Sequence, residues 1–176
     1  MIVSLAEAQI INPEADRTYI DALETLVRSY TNNNFQIRKL RLDDVFFTEP
    51  NMIQSRSDPV GFLPGNTIEI NHSDFNDGLY VIEAINGRTL TTVNGGLINE
   101  DLGPGIVTLI EYPADIIHGV KKLIKYDLKM GEKIGIKSET ISRMSITYYD
   151  MNATETIEGY PSSLVGFLDK YKKLRW

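Results

Sequence analysis

The stretch Leu79-Tyr-Val-Ile-Glu-Ala-Ile-Asn-Gly-Arg-Thr-Leu-Thr-Thr-Val93 decides the fold. Two runs rich in β-branched and aromatic residues flank Asn86-Gly87. That dipeptide is the strongest hairpin signal in the chain, because both central residues of a type I′ turn need positive φ, which Asn and Gly adopt cheaply. Outward from the hairpin arms, Leu79–Ile85 and Thr89–Val93, similar short runs recur at Ile37–Leu42, Val45–Thr48, Thr67–Asn71 and Ile106–Tyr112. Gly, Pro, Asn and Asp separate them, as turn residues separate strands. Six short strands between 37 and 112 predict a small barrel or curled sheet, since closure hides the sheet edges.

On either side of this region the apolar period changes from two to about 3.6. Ser4 and Glu7 have capping-box spacing for a short first helix, which Asn12-Pro13 ends. From Asp16 to Tyr30 one stripe holds Tyr19, Ala22, Leu23, Leu26, Val27 and Tyr30, with Asp21, Glu24, Thr25 and Arg28 opposite it. Asn32, Asn33 and Asn34 supply its stop. A third helix opens at Pro113-Ala114-Asp115 and carries Ile116, Ile117, Val120, Leu123, Ile124 and Leu128, with Lys121, Lys122, Lys125 and Lys129 beside them. Pro161 suits the first position of a last helix bearing Leu164, Val165, Phe167, Leu168 and Tyr171. The expectation is an α+β chain. A small helical domain of about four helices, residues 1–36 plus 113–176, would carry a small β-barrel-like module, residues 37–112, inserted between its second and third helices. Neither helical half could bury its stripe alone.

Composition narrows the function. The 176 residues carry a formal net charge of −6 and a sequence pI near 5.0. Tight non-specific nucleic-acid binding draws its affinity from Lys and Arg, so it is disfavoured. Without cysteine there is no disulfide framework, thiolate metal site or cysteine nucleophile. Met1–Ile11 lacks a basic n-region and holds Glu7, unlike a signal peptide. No apolar run approaches the roughly 20 residues that cross a bilayer, so no membrane is expected.

The residues that could do chemistry do not converge. His72 and His118 stand in no metal-ligand spacing, and the glycines form no phosphate-cradling loop. Asp43-Asp44, Asp74 with Asp77, and Glu100-Asp101 read as solvated turn acids, and Ser162-Ser163 has no nucleophile elbow. The expectation is a protein that is not an enzyme and has no catalytic residue, metal or cofactor. The C-terminal Lys170, Lys172, Lys173 and Arg175, closed by Trp176, read either as a solvated helix end favoured by the dipole or as a partner-binding tail. Tyr148, Tyr149 and Tyr160, in the least regular region, are either core or contact surface. These eight residues are the candidate partner-binding set.

Tyr112-Pro-Ala-Asp115 through Tyr126-Asp-Leu128, then Gly135-Ile-Lys-Ser-Glu-Thr-Ile-Ser-Arg143 and Thr147-Tyr-Tyr149, resemble the C-terminal half of tailed-phage head–tail connector (adaptor) proteins. Gly159-Tyr-Pro161 with Leu164–Trp176 is similar to the end of those proteins, and Met1–Glu7 with its amphipathic helix to their beginning. Asn66–Ile70, Asn76–Ile82 and Asn86–Leu90 look like a β motif recurrent in phage structural proteins. The resemblance implies a structural virion protein of the neck, between capsid and tail, made in the host bacterial cytoplasm. It implies that about twelve copies form a ring through a heterologous interface. The partners so implied are the portal protein, a stopper or tail-completion protein, and further copies of the chain. DNA passes through the lumen without specific binding, which an acidic wall favours. The third helix and 135–149 would build the ring interface, and the C-terminal tail would dock on the portal, so deleting Lys170–Trp176 is expected to spare folding and abolish docking. The alternative is a small binding module whose strands hold an oligosaccharide or single-stranded nucleic acid.

Overall fold

The computed structural model describes residues 1–93, 95–101, 105–131, 138–141, 144–147 and 156–174. By contact the chain divides into two compact units, Asn34–Tyr112 with Met1, and Ile2–Asn33 with Pro113–Trp176.

The first unit is a seven-stranded antiparallel sheet. Its strands are β1 (Gln36–Leu42), β2 (Val45–Thr48), β3 (Met52–Ser55), β4 (Thr67–Asn71), β5 (Gly78–Asn86), β6 (Thr89–Thr92) and β7 (Ile106–Ile110), in the order β1-β7-β4-β5-β6-β3-β2. β5 belongs to both halves. Gly78 to Val81 pair with β4, Ile82 to Asn86 pair with β6, and the register shifts between Ile82 and Ala84. Such a bulge bends a strand and increases its twist. The two halves accordingly share one core, in which Phe47, Ile53 and Leu90 from one half join Ile68, Ile70 and Val107 from the other. The predicted hairpin forms, but Asn86 pairs with Thr89, so the central turn residues are Gly87 and Arg88. Gly87 has φ 58° while Arg88 is not among the positive-φ residues, the II′ pattern rather than I′.

Polar groups close the far edge of this sheet. Phe47 and Glu100 exchange two backbone hydrogen bonds, each 3.0 Å, which pair the outer side of β2. The fully buried Asn76 holds that segment in place: its amide donates to the Ile98 carbonyl at 3.0 Å and to Glu100 Oε2 at 2.9 Å, and its Oδ1 accepts from Ile98 N at 2.8 Å. Asp77 Oδ1 accepts from the Ser73 amide at 2.8 Å and from its hydroxyl at 3.0 Å. Asp77 is an exposed turn acid as expected, whereas Glu100, read as solvated, is buried because Asn76 and the Asp74 amide satisfy its carboxylate.

The second unit contains α1 (Leu5–Ile11), α2 (Arg17–Thr31), α3 (Ala114–Met130) and α4 (Ser162–Val165), which runs into a 3-10 turn, Gly166–Tyr171. Two small hairpins complete it, β8 (Ser138–Ile141) with β9 (Met144–Thr147), and β10 (Thr156–Ile157) with β11 (Tyr160–Pro161). The capping box is present. Ser4 Oγ accepts from Glu7 N at 3.3 Å, and Glu7 Oε2 accepts from Ser4 N at 3.4 Å. Lys121 Nζ donates to Glu7 Oε1 at 2.7 Å, which, with Ser4, holds the Glu7 carboxyl below its usual value. Ser4→Ala is expected to cost about 1 kcal/mol, the usual worth of an N-cap, read as a lower midpoint in urea. No change would mean that α1 is held by its packing against α2 and α3 and not by its cap.

Asn32, with φ 48°, ends α2 in the left-handed conformation, and its N–H bonds back to the Arg28 and Ser29 carbonyls. The buried face of α2 is Ile20, Leu23 and Val27. It also takes in Glu24, assigned to the polar side by period, whose Oε2 accepts from Ile2 N at 3.2 Å. On α3, Leu128 is exposed although it falls on the apolar stripe, whereas Gly119 is buried against the Phe167 ring.

The fold class read from the sequence is corrected by this arrangement. The chain is mostly an antiparallel sheet of seven strands plus four short helices, and the helices are not ordered as a helical domain with a β insert between the second and third. After α3 the chain returns to strands, and the expected last helix is one four-residue turn followed by a 3-10 segment. Gly166 explains the second point, since glycine disfavours the helix interior by about 1 kcal/mol. The barrel-like module is an open sheet, because β1 and β2 stand at opposite ends of the strand order. The strand missed by the sequence reading, β3, supplies the pairing for β2 that closure would otherwise supply.

Candidate partner-binding site

Three aromatic residues and one carboxylate meet in the helical unit. Asp127 lies near the C-terminus of α3, and its Oδ2 accepts from the Tyr19 hydroxyl of α2 at 2.5 Å and from the Tyr160 hydroxyl of β11 at 2.6 Å. Tyr126 packs against Tyr160 with ring centroids 5.9 Å apart. Tyr160 is placed by a two-residue turn in which Glu158 (φ 51°) and Gly159 (φ 84°) both take the left-handed region. Glycine adopts it freely, and Glu158 does so at roughly 1 kcal/mol.

Beside this node lies an open cavity of about 250 Å³, lined by Tyr126, Asp127, Met130, Gly131, Glu158, Gly159 and Tyr160. Burial, and then the hydrogen bond to Asp127, push the Tyr19 and Tyr160 hydroxyls well above their usual range; burial, and then the Asp127 charge, raise Tyr126. Both hydroxyls therefore remain protonated donors across the physiological range. They are poor candidates for proton transfer, which works best when the group titrates near the working pH. The node fixes three segments in place, and the cavity beside it offers aromatic and thioether surface with Glu158 at its lining, chemistry suited to an apolar side chain from a partner.

Of the predicted contact residues, Tyr160 is in this cavity. Tyr148, Tyr149, Arg175 and Trp176 lie outside the described residues. Two of the tail lysines pair with carboxylates of the same unit. Lys170 pairs with Asp115 at 2.6 Å, and Tyr171 donates to the same carboxylate at 2.7 Å. Lys172 pairs with Asp169 at 2.9 Å and sits 3.9 Å from the centre of the Tyr30 ring, while the Tyr30 hydroxyl donates to Asp169 Oδ1 at 2.9 Å. These hydrogen bonds hold Asp115 and Asp169 below the usual carboxylate range, Lys170 and Tyr171 on Asp115 first, Lys172 and Tyr30 on Asp169. Lys173 N donates to the Thr31 carbonyl at 2.8 Å, and the Asn33 amide donates to the Tyr171 carbonyl at 3.3 Å. The asparagines read as a helix stop thus also lace the tail to the end of α2. Removing Lys170–Trp176 strips these bonds away, so truncation disturbs the unit as well as any docking.

Tyr19, Tyr126 and Asp127 were not among the predicted contact residues. One signal was there to find: Asp127 stands between Lys125 and Lys129 at the negative end of the α3 dipole, where a carboxylate is disfavoured unless other groups hold it. His118 is exposed on α3, and His72 follows β4 with φ 63°. Among the described residues no group of three His, Asp or Glu side chains could hold a metal ion, and no helix is long and apolar enough to cross a membrane. No protein-family model and no curated protein matches the chain.

Proposed function

We propose that the chain is a structural subunit of a tailed-phage neck, a head–tail connector that acts as a ring on the portal protein, receives a stopper or tail-completion protein, and lets DNA pass. One observation carries the reading. The segments that resemble connector proteins converge on a single carboxylate, since Asp127 from the Tyr112–Leu128 run binds Tyr160 of Gly159-Tyr-Pro161 and Tyr19 of the N-terminal amphipathic helix. Stretches far apart in the chain are thereby maintained as one surface, and the cavity beside them, with Tyr160 in it, is a partner's natural foothold. Glu158, which is exposed, lines that foothold.

Charge fits the role. Between residues 34 and 112 eleven acids face five bases, so the whole formal charge of −6 resides in the sheet unit, and DNA sliding past it would meet repulsion. The test is negative-stain imaging of the chain mixed with the portal protein encoded nearest to it. Added density in a ring on the portal's narrow end is the expected result, and it should be lost with Tyr160→Ser. An intact portal without added density overturns the connector reading.

A further inference from the structure

The sheet unit is acidic as a whole, yet three of its five cations, Arg38, Lys39 and Arg41, lie within four consecutive positions of β1. They are brought there by a break in register. Ile37 pairs with Leu109 and Arg41 with the next residue of β7, Thr108, so residues 38 to 40 bulge from the ladder. Cations and a bulge on an end strand would by themselves only discourage edge-to-edge pairing. Here Arg38 and Arg41 border a concavity of about 240 Å³ whose lining also includes Gln36, Asn71, His72 and Thr108, with Ile106 completing it. Arg41 sits opposite Thr108, and Asn71 opposite Ile106, so donors from β1, β7 and β4 share one face of the sheet.

The carboxylate in the same cross-strand row, Glu69, is engaged by the Gln36 amide at 2.7 Å and the Asn34 amide at 3.4 Å. Arg38 and Arg41 are exposed, and neither forms an ion pair among the described residues. A pocket with two guanidinium groups, an amide, a hydroxyl and an imidazole on different sides is rich in donors, and no carboxylate is among its lining residues. Guanidinium forks match phosphate oxygens in pairs, and donors from three strands match a tetrahedral group better than a planar one.

We propose that this concavity binds a phosphate group, presented singly, and that Arg38 and Arg41 clasp it. The surrounding negative charge disfavours a long polyanion lying across the sheet, since each further phosphate would meet carboxylates such as Asp43 and Asp44. The site is independent of the connector reading and stands or falls without it.

The test is a titration of the full chain with inorganic phosphate, followed through the Asn71 side-chain amide and the arginine Nε–H signals. Saturable shifts at these groups are expected. Arg38→Gln/Arg41→Gln should weaken binding by about tenfold or more at an unchanged melting temperature, and the double Lys variant should fall between, because it keeps charge and loses the fork. A phosphomonoester and a short thymidine oligonucleotide separate the sources. Tighter binding of the monoester assigns the site to a free ligand, and tighter, steeply salt-dependent binding of the oligonucleotide assigns it to a nucleic-acid backbone. Shifts that never saturate, that are unchanged in the Gln variant, or that acetate reproduces at equal concentration would overturn the proposal.

Discussion

Asp127→Ala is expected to destabilise the helical unit by about 2–4 kcal/mol, because two phenolic hydroxyls lose one charged acceptor and each such bond is worth roughly 1.5–3 kcal/mol. The node joins α2, α3 and β11, so the loss should appear as a lower urea midpoint together with increased proteolysis near Tyr160. Asp127→Asn retains an acceptor and should cost less. The same geometry sets a pH dependence. Burial and the Asp127 hydrogen bond raise Tyr19 and Tyr160 above the ordinary tyrosine value of 10.0. The unfolded chain then ionises first, so this stability is fully present below pH about 10 and is lost as pH rises toward the folded values. Melting temperature measured upward from neutral pH should hold steady and then fall, with the tyrosinate absorbance of Tyr19 and Tyr160 appearing only as the unit unfolds. Ionisation of all nine tyrosines near the ordinary value in the folded chain would show that the node does not hold Tyr19 and Tyr160.

Gly119→Ala is the second large effect, and helix propensity gives it the opposite sign. In an exposed helix interior alanine would gain about 1 kcal/mol over glycine. Here a Cβ on Gly119 would lie 2.3 Å from Phe167 Cζ and 2.4 Å from Cε2, closer than such atoms come. The ring must move or α3 must shift, and overpacking of this kind costs roughly 1–3 kcal/mol. A net loss is expected, and the test is a double-mutant cycle. If the clash is the cause, Gly119→Ala should become neutral or stabilising in a Phe167→Ala background. A loss of the same size in both backgrounds would place the cause elsewhere in α3.

Much of the local structure was legible because local chemistry produces it. Ser4 and Glu7 form the capping box their spacing predicts, Asn32 ends α2, and Ile68, Ile70, Val107 and Leu109 are buried as their β-branched and apolar runs suggest. The candidate site was legible in part. Tyr160 was among the predicted contacts, but its meaning depends on Tyr19 and Asp127, which lie far from it in the chain. Spacing along a sequence carries no information about such a meeting. The tail lysines were read as either a solvated helix end or a partner-binding tail, and spacing could not show that Lys170 and Lys172, while exposed, pair with Asp115 and Asp169.

By itself the sequence determined most of the helical and extended segments, where most turns fall, and the formal net charge of −6. Those are properties of neighbours within a few residues, set by backbone preference and apolar period. Tertiary structure decided the rest. Strand β3 has little signal of its own and exists because β2 and β6 pair on either side of it. Glu24 is buried because Ile2 N meets its carboxylate, against the polarity of its residue type. The sheet stays open because β5 bends between two partners and leaves β1 and β2 at opposite ends of the strand order, which no run of residues encodes. Pairing and burial are settled by the partners that long-range contact supplies, and these can outweigh the weak preferences of single positions.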